Sequence, residues 1–550
     1  MDAIELPFDP VELITLALEN QQSQAFLHSA CNTFFAPTST STSTSTTSSS
    51  GASSTTTSTK TFVGVRQDPS GCWPLLPQEW RDHFEAVDPA HRDRVLQDVA
   101  DGKLRSECPP SLSSYLESCR RLSFDRTCSP IPILAHPPRS SEQQGHVPAA
   151  SAGAASSSHL FDPSIGTKGK KLRQGQNPKK SHEVDRFSHL VQEIKSARPG
   201  ITNIIDVGSG RGHLSRGLTL PPLSLDVLAV DWSPQQISGS EYLETLAKAR
   251  SAPKEVEAQS SDDAPEHTVV PSKGTLTHLT SSLDAPSIAQ LYAAPQAAGI
   301  AEQARDVEPA MLITLHGCGD LTISALKGLF LAPRPLPTAI LVGCCYNLQS
   351  PSSFPLSDFV ARALATTPVG TETKEPMTRA HLRISPQSPG LWYLTLTNSQ
   401  ELKESIVKLG YRARLEAELA AQGLGSEGQR RVGRVSKSQD YDDYRLKALS
   451  KYGVTEVPRL RFGSDEVDEE REWTETLYKL QVFWTLRCHL GPVLETLLVL
   501  DRFAFLVERL REVEGEEGEG SKLKRSVVLE LRNLFDQRSG SVRNMALVLR

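Results

Sequence analysis

Asn203-Ile-Ile-Asp206-Val207-Gly208-Ser209-Gly210-Arg211-Gly212-His213 is the stretch that decides how the rest of the chain is read. Its first five residues form a short, mostly apolar run of strand length, and alternating glycines then lead into a helix-like segment, His213 to Leu218. An apolar run that stops at glycines and resumes with helical spacing predicts a buried strand turning into a helix. Glycines at such a turn tolerate positive φ and let a ligand approach the backbone, while amides near the start of the next helix face that ligand. A dinucleotide fingerprint, Gly-x-Gly-x-x-Gly, would place glycine at position 213, which is His213 here. The spacing therefore favours a loop for S-adenosyl-L-methionine. Asp206 precedes it, and Gly208, Gly210 and Gly212 are expected on the methionine side of that cofactor.

Working outward, Val184, Phe187, Leu190, Val191 and Ile194 recur at three- and four-residue steps, which predicts an amphipathic helix with Ser181 as its N-cap. Leu225 to Val230 reads as a second strand ended by Asp231, whose carboxylate is suited to ribose hydroxyls. Gln235 to Ala249 is helix-like; Thr275–Leu279, Met311–Leu315 and Ala339–Val342 are further strands. Strands alternating with helices imply parallel pairing with right-handed crossovers. Near the end, Glu475 to Val513 reads as one long helix kinked at Pro492, followed by strands at Ser526–Leu534 and Arg543–Leu549. The expected fold is α/β: a Rossmann-like, mostly parallel seven-strand sheet of the class I methyltransferase layout, closed by a C-terminal antiparallel hairpin. A helical N-terminal region and a long helical insertion complete it.

Two segments end at the carboxyl edge of this sheet: Leu315-His316-Gly-Cys318-Gly-Asp320-Leu and Val342-Gly-Cys344-Cys345-Tyr346-Asn347. Open parallel sheets bind ligands there. His316 and Asp320 are candidate bases for an acceptor with an acidic proton, and Tyr346 a candidate to orient a planar acceptor, so these three form the expected catalytic set. His316, Cys318, Cys344 and Cys345 carry atoms suited to zinc. Their spacing departs from usual zinc patterns, and adjacent cysteines on a strand alternate faces, so no metal is expected. Small buried core residues are the plainer reading of Cys344 and Cys345.

The chain has 550 residues, 38 % of them hydrophobic, and a formal net charge of −6. The negative balance argues against a charge-driven nucleic-acid binder. Nine unevenly placed cysteines do not make a disulfide scaffold and suit a reduced, cytoplasmic or nuclear protein. Residues 1–35 carry acids where a secretory signal is apolar, and Val493–Val507 is too short and too charged for a bilayer. No membrane association is expected. The organisation predicted is a helical segment over 1–37, a Ser/Thr-rich disordered tract over 38–60, and a helical region over 61–128 with Trp73, Leu76, Trp80 and Phe84 as core. A disordered linker over 129–175 and the methyltransferase domain over 176–550 follow, with insertions at about 251–272 and 352–473. Lys168 to Lys180 is basic, either a solvated linker or a contact to phosphate or acidic substrate.

Taken together the motifs resemble the methyltransferase-like protein 25 family. The resemblance rests on Asn177-Pro-Lys179-Lys180-Ser-His182-Glu183-Val, Asp206-Val-Gly-Ser-Gly-Arg-Gly-His-Leu-Ser215-Arg216, Leu315-His316-Gly-Cys318-Gly319-Asp320-Leu and Val342-Gly343-Cys344-Cys345-Tyr346. Phe354-Pro355-Leu356-Ser357, Leu500-Asp501-Arg502 and Arg543-Asn544 add to it, over roughly residues 176–550, with a fainter echo at Leu76–Trp80. The family's proline before Arg-Asn is Val542 here. The resemblance implies a transferase using S-adenosyl-L-methionine, with Lys180, His182, Glu183 and His213 joining Asp206, the three glycines and Asp231 around the cofactor. Some members are labelled ribosomal RNA adenine dimethylase domain-containing, which implies a ribosome-associated partner. The Asn/Asp-Pro-Pro-Tyr/Phe tetrapeptide of adenine amino-methyltransferases is absent. The acceptor expected is a macromolecule, RNA or a protein side chain; the alternative is a non-catalytic cofactor-binding or scaffold module.

Overall fold

The computed structural model describes residues 8–19, 73–103, 107–130, 132–136, 176–251, 274–293, 310–332, 338–373, 375–394, 396–420, 422, 435–454, 457–459, 466–516, 527–539 and 541–550. The Ser/Thr tract, most of the 129–175 segment, the loop after residue 251 and the basic residues 168–175 lie outside them. The chain divides into two units: one holds residues up to Ile14, Ser123–Pro386 and Leu494–Arg550, the other Thr15–Leu122 and Gln387–Val493. Most of the expected insertion, from Gln387 on, shares a unit with the N-terminal helical residues Thr15–Leu122.

The first unit is built on an eight-stranded sheet: β1 Leu134–His136, β2 Asn203–Val207, β3 Asp226–Asp231, β4 Leu276–Thr280, β5 Met311–Gly317, β6 Thr338–Gly343, β7 Leu529–Asn533 and β8 Met545–Leu549. The strand order is β1-β7-β8-β6-β5-β2-β3-β4. β4, β3, β2, β5 and β6 are mutually parallel; β8 pairs antiparallel with β6 and with β7, and β7 with β1. The expectation of seven strands falls one short. Leu134–His136, expected to be linker, adds to the edge by pairing with β7 (Leu134 opposite Leu531), which satisfies an otherwise open strand edge.

β2, β5, β6 and β8 are buried along almost their whole length, as central strands covered on both faces must be. Helix α1, Pro178–Ala197, lays Phe187, Leu190, Val191 and Ile194 against the same core that contains Ile204, Met311, Ile313, Ile340 and Val548. Its N-cap is Asn177, not Ser181: the Asn177 side chain accepts from the Lys180 amide at 2.7 Å, and Pro178 takes the first position, where its missing N–H costs nothing. Helix α2, His213–Leu218, follows the glycine turn; α3, Pro234–Ser251, follows β3; α4, Ala285–Ala293, follows β4; and α5, Leu321–Leu331, follows β5.

The expected single C-terminal helix is two, Glu466–Cys488 and Leu490–Glu516. The break falls at His489: Pro492 has no N–H for the Cys488 carbonyl four residues earlier, so the expected kink is a full break, with Pro492 in the first turn of the later helix (α6). Among the described residues no helix is long and apolar enough to cross a membrane.

The second unit is helical. Trp73, Leu76, Trp80 and Phe84 are buried in it as the sequence predicts. Three of its buried aromatics have their polar ends satisfied: Trp80 Nε1 donates to Ser111 Oγ (2.7 Å), Tyr115 Oη to the Leu486 carbonyl (3.0 Å) and Tyr478 Oη to the Phe84 carbonyl (3.1 Å).

Candidate functional site

The turn after β2 is tied to the end of β3 at three successive amides. Gly208 and Ser209 donate to the Val230 carbonyl (2.8 and 3.1 Å), and Gly210 donates to Asp231 Oδ2 (2.9 Å). Asp231 Oδ1 accepts from the Ser233 amide at 2.9 Å. Holding the chain this way requires positive φ at Gly208 (76°), Gly210 (54°) and Gly212 (64°), a conformation that costs an ordinary residue about 1–2 kcal/mol. The glycines differ in what surrounds them. A Cβ on Gly208 would lie 2.7 Å from Leu321 Cδ2, whereas one on Gly210 would meet nothing within 4 Å. The space in front of Gly210 is open, and Ser209 Oγ beside it is buried without a hydrogen-bond partner. The expectation that the amides of this turn grip a ligand is corrected: those of Gly208, Ser209 and Gly210 are spent on β3, and what the turn offers is shape and the Ser209 hydroxyl.

Asp206 is fully buried and accepts from Ser215 Oγ at 2.6 Å; burial pushes its carboxyl up to about 6, against the opposing effects of that bond and of Lys180. His213 goes the other way. Burial, helped by the charges of Arg216, Lys180 and Arg211, lowers it to about 4. Arg216 can only donate, so its Nη2, 3.3 Å from His213 Nδ1, fixes the proton on Nε2.

The structure brings Glu183 and His316 together from α1 and β5, His316 Nε2 lying 3.1 Å from Glu183 Oε2. Burial acts to raise Glu183, but the His316 hydrogen bond and the nearby charges of His316, Lys180 and Lys179 outweigh it, and its carboxyl stays below the usual range and ionised. Lys180 Nζ is 3.9 Å from the same carboxylate, and burial lowers its own value. The Glu183 contact to Nε2 orients the His316 ring from α1.

Three predicted site residues lie elsewhere. Tyr346 is 2 % exposed, its hydroxyl lies 3.2 Å from Glu495 Oε1, and Arg502 sits over its ring at 5.0 Å; buried on α6, it does not face an acceptor. Asp320 accepts from the Ser350 amide with both oxygens (3.1 and 3.2 Å), which latches the loops after β5 and β6 and occupies the proposed base. His182 Nε2 accepts from the Asp536 amide at 3.2 Å and so pins the β7–β8 turn rather than meeting the glycine loop.

The sequence reading also missed partners. Asp501 on α6 accepts from the Leu356 and Ser357 amides and from Ser357 Oγ, while Arg502 donates to Gln349 Oε1 at 2.9 Å; α6 thereby holds the segment that follows β6. Alternate-face reasoning about Cys344 and Cys345 fails because β6 stops at Gly343. Nothing local in the sequence marks Ser215 or Arg543 as neighbours of Asp206 and of the cysteines.

Two measurements check this geometry. Tyr346→Phe should cost about 1–3 kcal/mol in urea unfolding, because a buried bond to a carboxylate is lost. For pH, Asp206 has a folded value (about 6) above its ordinary 3.8, so its contribution to stability falls as pH rises between those values. His213 has a folded value (about 4) below its ordinary 6.5, so its contribution grows as pH rises through that window. Melting curves from pH 4 to 7 should show Asp206→Asn gaining on the parent chain and His213→Gln losing to it; parallel curves would contradict both assignments.

Comparison with known proteins bears on the domain rather than on individual site residues. Residues 179–351 match a methyltransferase-domain family model. The chain is 28 % identical over 208 residues to the probable methyltransferase-like protein 25 of Mus musculus, covering 37 % of this chain and 34 % of that protein. It is 25 % identical over 234 residues to the Homo sapiens protein of the same name, covering 37 % and 33 %. It thus spans about a third of the length of the curated relatives it matches. A solved plantazolicin methyltransferase, BpumL, in complex with SAH overlays 45 % of this chain and 71 % of that one at 12 % identity and a TM-score of 0.18, too low to bear on the fold. The resemblance read from the motifs stands: the chain carries a methyltransferase domain over residues 179–351 and is related to the methyltransferase-like protein 25 family.

Proposed function

We propose that this chain is an S-adenosyl-L-methionine-dependent methyltransferase acting on a macromolecule, RNA or a protein side chain. The observation that carries the reading is the glycine turn: three positive-φ residues tied to β3, open space in front of Gly210, and an unpartnered Ser209 hydroxyl. It sits where β2 and β5 pair and their following helices diverge, the switch point at which open α/β sheets bind ligands. The parallel run β4-β3-β2-β5-β6 closed by the antiparallel β7–β8 pair fits the class I methyltransferase layout.

The residues present suit the cofactor. Each Asp231 oxygen holds one N–H, which leaves a lone pair on each for a ribose hydroxyl. Trp232, next along the chain and 72 % exposed, offers a ring face for the base. Lys180, near Asp206 and Glu183, is the cation for the methionine carboxylate. When bound, the cofactor supplies an electrophilic methyl group. The chain's own work is alignment, exclusion of water and handling of the acceptor's proton. His316, oriented by Glu183, takes that proton on its free ring nitrogen as the acceptor atom becomes nucleophilic, and ionised Glu183 stabilises the imidazolium. Asp320 and Tyr346 are not assigned catalytic roles.

Calorimetry with S-adenosylhomocysteine tests the pocket. Gly210→Val, which both strains the turn and fills the space, should abolish binding, and Asp231→Ala should weaken it at least tenfold, since two buried amides also lose their acceptor. Unchanged affinity in both would defeat the reading. Incubating the full chain with tritiated methyl donor and cell lysate should label a band, and nuclease or protease sensitivity identifies its class. His316→Ala should slow that labelling by about 10²-fold or more while leaving cofactor affinity intact. Tight binding with no labelled acceptor would favour the non-catalytic module.

A further inference from the structure

One side-chain cluster plays no part in the function just described. Because β6 ends at Gly343 and Cys345 leaves the strand with φ −90° and ψ 67°, Cys344 and Cys345 are not forced to opposite faces of the sheet. Cys318 follows β5, the neighbouring strand, and the two segments are stitched by the bond from the Gly319 amide to the Cys345 carbonyl at 3.2 Å. The three sulfurs, two from adjacent residues and one from 26 positions earlier, all lie within 4.8 Å of one another: Cys318 and Cys344 are 3.2 Å apart, Cys344 and Cys345 3.6 Å. Tetrahedral zinc with bonds of about 2.3 Å sets its sulfurs about 3.8 Å apart, so the Cys344–Cys345 pair is near that spacing and the Cys318–Cys344 pair would open by about half an ångström to share one ion.

We propose that Cys318, Cys344 and Cys345 form a three-thiolate site for a soft divalent cation, zinc in the first instance, with a fourth coordination position left open. Thiolate sulfur selects zinc over the hard cations, and three protein ligands with a vacant fourth position are the arrangement of an exchangeable rather than a purely structural zinc site. Three thiolates and one zinc ion leave a net negative charge. Lys180 acts electrostatically on Cys344 and Cys318, and Arg543 on Cys318 and Cys345, so both are placed to offset it. Arg543 Nε is itself buried without a hydrogen-bond partner. Cys318 is exposed, which gives an ion a way in; Cys344 is buried, which fixes the inner wall. His316 is not the fourth ligand, for its Nε2 faces Glu183 and its ring nitrogens lie outside the sulfur cluster.

Elemental analysis of the purified full chain tests this without any methyl donor, so its outcome stands apart from that of the cofactor-binding experiment. The parent chain should carry about one zinc per chain. Cys344→Ser and Cys345→Ser should each reduce that at least tenfold, whereas Cys119→Ser, at a buried thiol of the other unit, and His316→Ala should keep it. Should the serine variants fail to fold, cobalt(II) titration of the parent chain decides: near-ultraviolet thiolate charge transfer with tetrahedral visible bands supports the site. A parent chain that takes up neither ion, loss of zinc in His316→Ala, or a Cys318–Cys344 disulfide found by non-reducing peptide mass spectrometry in metal-free protein would each overturn it.

Discussion

The first unit depends on one constraint: the end of β3 dictates the path of the chain leaving β2. The Val230 carbonyl takes two amides and the Asp231 carboxylate a third, so residues 208–210 have nowhere else to go. That path is open only to glycine at the bends, since side chains there would meet positive φ and, at Gly208, Leu321 as well. Every later feature of the cleft follows from it. Asp206 is buried, α2 starts at His213, and the space in front of Gly210 is open.

The second theme is how the other wall is built. Strands β5 and β6 end side by side, but the residues past their ends belong to loops, and loops need external anchors. α6 supplies them. Asp501 and Arg502, one buried pair of neighbours in sequence, hold Leu356, Ser357 and Gln349, while Glu495 meets Tyr346 and Arg126. Burying these charges is costly, and hydrogen bonds to amides and side chains at Asp501 and Arg502 and the 2.8 Å Arg126–Glu495 ion pair offset part of that cost. These bonds hold the segments that follow β6, from which Cys344 and Cys345 come. Lys180 links these groups electrostatically, feeling Glu183, Asp206, Cys344 and Cys318 together.

Motif residues therefore divide by task. Gly208, Gly210 and Asp231 build the turn, and Glu183 and His316 meet each other from α1 and β5. Asp320, Tyr346 and His182, which look equally chemical in sequence, spend their polar groups on loops and turns. A residue type suited to catalysis is equally suited to satisfying a buried amide, and only the partner it finds decides between the two.

Much of this was legible in the chain itself. Local periodicity marked β2 over Asn203–Val207, α2 over His213–Leu218 and the strands that follow, because alternation of apolar runs with glycine and acidic breaks is a local property. The glycine spacing, with His213 where a dinucleotide fingerprint has glycine, was likewise readable from the chain alone. What the sequence by itself could not determine is which distant residues meet. Glu183 finds His316, Asp206 finds Ser215, Asp320 finds Ser350 and Cys318 finds Cys344 only after strand order is set. Strand ends were decided at the same level. That β6 stops at Gly343, one residue before the cysteines, turns two side chains expected on opposite faces into members of one cluster, and pairing with a neighbouring strand is information no single segment contains.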